Sequence, residues 1–144
     1  MLQGALRSRT IATRAADVTL GEDGVLRVIV HEGADVTAED MRSFLAARME
    51  LAPLRTAVLI DQRRIRTMTR DAQEAGTEGS EKRPTIGVAI LIAGPIAVLI
   101  ANFFIVFGRP RYPTKLFTNE PAALAWLDEL RRAEPNVAVR QDGS

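Results

Sequence analysis

Cysteine is absent from the 144-residue sequence, and histidine occurs once, at His31. The first absence excludes disulfides, thiolate chemistry and cysteine-ligated metal sites. A lone imidazole with no second ligand of its kind makes no metal centre, and no serine-nucleophile motif accompanies it, so His31 is expected to serve a strand end or loop. Charge of one sign is also missing: 19 Lys and Arg stand against 18 Asp and Glu, for a net charge of +1. That balance nominates no nucleic acid, membrane surface or acidic partner. Apolar residues at 47% and charged residues at 26% are an ordinary globular composition, enough for one domain with a real core. Neither an internal repeat nor a low-complexity tract is present. Met1 to Ala16 holds Arg7, Arg9 and Arg14 and no acid, yet lacks the apolar core of a secretory signal. Residues 1–11 are read as a flexible leader, 12–133 as the domain and 134–144 as a flexible tail, with the cytoplasm as the expected location.

Against these absences stands one long apolar run, Pro84 to Gly108, twenty-five residues without a formal charge. By hydropathy it is long enough to cross a bilayer as a single helix, since about 20 apolar residues suffice. By local chemistry it is two elements. Ile86 to Ile92 is rich in β-branched residues, and Gly94-Pro95 stops a strand and opens a helix. Ile96 to Phe107 is then a short apolar helix closed by Gly108. Basic residues flank both ends of the run and give no orientation bias, which favours the buried strand-turn-helix over the single span.

The rest of the chain packs around that run. Ala12 to Leu20 and Val25 to His31 form a β-hairpin across Gly21 to Gly24, with Leu26 and Val28 facing one way and Arg27 and Ile29 the other. Glu32 to Val36 is a loop, and Thr37 with Asp40 three residues on is a capping box for an amphipathic helix that Pro53 ends. Met41, Phe44 and Leu45 share one face of it. Thr56 to Ile60 reads as a central strand covered on both faces, ending at Asp61. Thr69 caps a helix from Arg70 to about Ala75, with Asp71 favourable in its first turn. Thr114 to Phe117 is an edge strand, and Asn119 caps a last helix whose Ala123, Trp126, Leu127 and Leu130 line one face. The order β-β-α-β-α-β-α-β-α predicts a single-domain α/β sandwich with parallel inner strands, an N-terminal hairpin and about four helices.

The stretches VTLGEDGVLRVIV, VTAEDM, AVLIDQRRIRTMTRDA, LIANFFIVFGRPRYPTKLF and NEPAALAWL, in that order, resemble the STAS domain, the fold of anti-sigma-factor antagonists. They resemble more closely a group of small uncharacterised bacterial proteins related to STAS and Sec14-like domains. The resemblance covers about Val18 to Arg132 and implies a non-enzymatic regulatory or protein-interaction module. In phosphoregulated members an Asp-Ser-Ser-Gly motif follows the strand that ends in Asp. Laid over Asp61, it falls on Thr69, Arg70, Asp71 and Ala72. No serine stands there: Asp71 occupies the neighbourhood of the phosphorylatable position as a fixed charge, and the phosphoswitch is not carried over.

Ligands of parallel sheets bind at the carboxyl edge of the strands. Here Arg63, Arg64 and Arg66, with helix starts near Thr69 and Gly94, could hold an anion. The same cluster lacks aromatics for stacking and is interleaved with acids, so nucleic acid is not expected. Asp61 and Asn102 are read as structural polar residues, because a buried amide or carboxylate must find a partner. Should the Ile96–Phe107 helix be apolar all round, covering a sheet would use only one face. The other would carry Ile100, Phe103, Phe104 and Phe107 to a twofold partner, making the protein a homodimer. The alternative is a carrier of a small anionic or lipid-like ligand between that helix and the arginine loop. No nucleophile, metal cage or phosphate loop is present, so neither an enzyme nor a cofactor is expected.

Overall fold

Two chemically different surfaces of one sheet organise this protein. A computed structural model describes residues 8–79, 82–94 and 112–134. The strands are β1 (Arg9–Ala12), β2 (Ala16–Leu20), β3 (Val25–Val30), β4 (Asp35–Val36), β5 (Thr56–Asp61), β6 (Thr67–Met68), β7 (Thr85–Leu91) and β8 (Thr114–Phe117). The helices are α1 (Ala38–Leu51), α2 (Arg70–Thr77) and α3 (Glu120–Ala133). Six strands form one sheet in the order β1-β2-β3-β5-β7-β8, antiparallel through β3 and parallel from there on.

Strand alternation sorts the side chains onto two faces. Leu26, Val28 and Val30 of β3 share one face with Val58 and Ile60 of β5 and Val88 and Ile90 of β7, and α1 and α2 cover it with Phe44, Ala47, Leu51 and Ala72. Val25, Ala57, Leu59, Ala89 and Leu91 point the other way, beneath Ala123 and Leu127 of α3. Gly87 permits that seating, because a Cβ there would lie 2.4 Å from Leu130 Cδ1 and 3.3 Å from the Pro113 carbonyl. The predicted central strand is central: β5 lies between β3 and β7, buried from Thr56 to Leu59.

All three predicted caps are present. Thr37 and Asp40 form the reciprocal capping box of α1, while Thr69 accepts from the Ala72 N–H and Asn119 from the Ala122 N–H. Other boundaries differ from the sequence reading. The hairpin is a three-stranded meander, because β1 starts at Arg9 and a turn breaks the chain between Ala12 and Ala16. That turn contains no glycine or proline. The Thr13 N–H and hydroxyl both donate to the Ala16 carbonyl, at 2.8 and 2.7 Å. The loop read over Glu32 to Val36 contains β4, which pairs in parallel with β6 and ties together the chain ahead of α1 and α2. Helix α2 runs two residues further than expected, to Thr77.

Three helices lie among the described residues. The fourth, expected over Ile96 to Phe107, lies outside them, as do Ile100, Asn102, Phe103, Phe104 and Phe107. A single span over 84–108 requires helix throughout, but Thr85–Leu91 is a strand hydrogen-bonded between β5 and β8. Among the described residues no helix is long and apolar enough to cross a membrane.

Candidate functional site

The carboxyl edge of the parallel strands gathers the predicted anion-binding residues, and each arginine there faces an acid. Arg63, just past β5, forks onto Asp61 with Nε to Oδ1 at 3.0 Å and Nη2 to Oδ2 at 2.8 Å. Glu120 lies 3.9 Å from the same Nη2. Arg64 lies 3.9 Å from Glu32, and Arg66 donates to Asp35, which also accepts from the Thr67 hydroxyl at 2.7 Å. The hydrogen bond from Arg63 holds the Asp61 carboxyl below its ordinary pKa, against a smaller opposing effect of burial. The Thr67 hydroxyl, then Arg66, does the same for Asp35.

Thr69 is committed to its cap, and Asp71 is exposed in the first turn of α2. Gly94, at φ +82°, takes a conformation that strains other residues, and sits exposed beyond β7. His31 reaches Asp17 Oδ1 through Nε2 at 3.1 Å and the Arg14 carbonyl through Nδ1 at 3.2 Å, the strand-end role expected of it. An open depression of about 640 Å³ lies here between His31, Glu32, Asp61, Arg63 and Arg64. It is the larger hollow, but its cations already hold acids and its rim is wet, so little attraction remains for a further anion.

A second hollow, of about 190 Å³, lies on the α1 and α2 face of the sheet. Aliphatic rows from the strands make its floor: Leu26, Val58 and Val88 toward the amino ends, and Val28, Ile60 and Ile90 toward the carboxyl ends. Met41, Phe44 and Leu45 of α1 form one wall, so the amphipathic face legible in the sequence is also a cavity lining. Its polar groups are few: Gln62, Arg48, Arg83, Tyr112 and two threonines. This is the composition of a small-molecule pocket, mostly apolar with sparse polar groups that orient what enters.

Sequence reasoning passed over Arg48, the most buried of these charged groups at 4% exposure. Its Nη1 donates to Met49 Sδ at 3.0 Å, and its Nη2 donates to the Pro84 carbonyl and, at 3.5 Å, to that of Leu54. Burial lowers its pKa, the neighbouring Arg83 acts in the same direction, and Tyr112 opposes both. A signal for it was present in the chain. Arg48 lies four residues after Phe44 and three before Leu51, on the helix face that goes inward. Arg83 closes the far end of α2, donating to the carbonyls of Glu78 at 2.7 Å and Gly76 at 3.0 Å.

Among the described residues no group of three or more His, Cys, Asp or Glu side chains is placed to hold a metal ion. Among the described residues no nucleophile and base stand together in either hollow.

A mixed sheet with parallel inner strands, an antiparallel edge and helices on both faces is a SpoIIAA-like, or STAS-like, fold. An uncharacterized protein from the DUF3478 family with a SpoIIAA-like fold, from Shewanella loihica PV-4, is similar with a TM-score of 0.53. The match spans 83% of this chain and 91% of that one at 17% identity, a likeness of fold alone. The fold resemblance read from the sequence is therefore borne out. The chain belongs to DUF7793, a domain of unknown function whose family model matches residues 19–131. It is also 33% identical to a protein of unknown function from Arthrobacter sp. fb24, over 77% of this chain and 97% of that one, with a TM-score of 0.30. No curated protein matches the chain.

Proposed function

We propose that this protein is a non-enzymatic STAS-like binding module that takes a small, mainly apolar ligand between its sheet and helices α1 and α2. The observation that carries this reading is the hollow of about 190 Å³ on that face, floored by aliphatic side chains. Its size supports a small occupant, because cavities of about 150 Å³ already accept benzene. The opposite face supports the reading by contrast: Ala89, Leu91, Ala123 and Leu127 are all 0% exposed there, a closed interface with α3. A core built only for stability fills both faces, since voids forfeit packing energy.

Titrating neutral octanol into the full chain, observed through methyl resonances, tests the proposal. Val58, Val88 and Ile90 should shift saturably, while Leu59 and Leu127 on the α3 face stay in place. Unsaturable shifts, or shifts on the α3 face, would overturn it.

A further inference from the structure

Arg48 is buried yet rests on neutral acceptors, namely one thioether and two carbonyls. Among the described residues no carboxylate comes within ion-pair distance of it, and every acid of the sequence except Glu81 and Asp142 is among them. Buried charges are ordinarily held by an opposite charge, because desolvation otherwise goes unopposed. Among the described residues the other buried charge, Asp40, follows that rule by pairing with Arg14, and the half-buried Arg27 pairs with Asp23. Nor do the carbonyls need Arg48. The Leu54 oxygen also accepts the Thr56 hydroxyl at 2.5 Å, and the Pro84 oxygen the Thr56 N–H at 3.2 Å. Arg48 lines the apolar hollow, and Arg83, whose charge acts on it, lines the same hollow. This end of the cavity is therefore cationic while the rest is aliphatic.

We infer that Arg48 is the anion-binding end of the cavity, and that the ligand is a small single-chain amphiphile with a carboxylate head and a short apolar body. The inference rests on the binding reading proposed above and names the chemistry of its ligand. A guanidinium presents a planar fork that matches a carboxylate, and such a pair strengthens as water is excluded. A hollow of about 190 Å³, set against the roughly 150 Å³ that accepts benzene, suits a body of about six to eight carbons. A cationic ligand would meet like charge at this end, and a neutral one would find no counter-charge to neutralise.

Octanoate and octanol, titrated separately into the full chain by calorimetry, separate the inference from the reading beneath it. Wild type should prefer octanoate by roughly 10-fold to 100-fold, the range expected for a hydrogen bond to a charged group. Arg48→Met should bind octanoate and octanol with similar affinity, losing the preference, while Arg48→Lys keeps part of it. The Arg48 Nε resonance of wild type, which needs no variant, should move with octanoate and stay with octanol. Equal affinity for the two probes, an unmoved Nε resonance, or a preference that survives Arg48→Met would overturn the anion assignment and leave the cavity reading standing. Binding of neither probe would overturn both.

Discussion

The two ends of the parallel strands carry arginines in opposite circumstances. At the carboxyl ends, Arg63, Arg64 and Arg66 are exposed and stand beside Asp61, Glu32 and Asp35. At the amino ends, Arg48 is 4% exposed and touches only neutral groups. The number of positive charges is greater where attraction for a new anion is weaker. Water and a resident carboxylate each screen a charge, and the carboxyl edge has both. What makes a cation available to a ligand is the loss of both screens, and burial under α1 supplies that at Arg48 alone among these four.

The comparison breaks most visibly under charge reversal. Arg48→Glu would bury a carboxylate against the Leu54 and Pro84 carbonyls, and should cost about 3–5 kcal/mol in chemical denaturation. Arg64→Glu, on a side chain 74% exposed, should change stability by no more than about 0.5 kcal/mol. Equal costs at the two positions would erase the distinction. The next effect belongs to the junction of β4 and α1. Asp40→Ala removes the reciprocal cap with Thr37 and the partner of Arg14, and should lower stability by about 1–2 kcal/mol.

Acid sharpens the contrast from another side. Asp61 and Asp40 are held below their ordinary value of 3.8, first by hydrogen bonds from Arg63 and Arg14 respectively. A carboxylate whose folded pKa is depressed binds fewer protons in the folded than in the unfolded state. Its contribution is thus complete above about pH 4 to 5 and lost as pH falls through the folded value. Tm should fall below about pH 4, and Asp40→Asn should flatten that fall, whereas Arg48 stays charged throughout and adds nothing to it. A Tm that falls as steeply in Asp40→Asn would assign the acid sensitivity elsewhere. The smallest stability change is expected at Arg48→Met, within about 1 kcal/mol of wild type. Replacing a buried charge by an apolar group of similar length is often neutral or stabilising, and Thr56 already serves both carbonyls. A loss above about 3 kcal/mol would make Arg48 a structural residue rather than a ligand-facing one.

Much of the fold was legible because local chemistry and tertiary structure agree. Thr37 with Asp40, Thr69 and Asn119 cap the helices as their side chains foretell, and the unalternated Thr56 to Ile60 run sits in the middle of the sheet. The misses are features without a period. β4 and β6 are two residues each, too short for alternation to register, and are held by partners thirty-two positions apart in sequence. The turn after Ala12 is closed by a threonine hydroxyl in place of glycine or proline. Of the site, the Arg63 to Arg66 cluster was conspicuous as a run of charge, while its acid partners Glu32 and Asp35 come from the distant segment between β3 and α1. Arg48 was hidden in an amphipathic helix as one more basic residue.

By itself, then, the amino-acid order determined the longer elements, their caps, the two-faced strands and the absence of cysteine chemistry, because these depend on neighbours within a few residues. Only the tertiary structure decided which arginines are neutralised and which one is left in an apolar hollow. A charge's behaviour depends on its solvent and its counter-ion, and the neutral, shielded surroundings of Arg48 are assembled from segments far along the chain: Pro84 ahead of β7, Tyr112 ahead of β8, and the strands beneath α1.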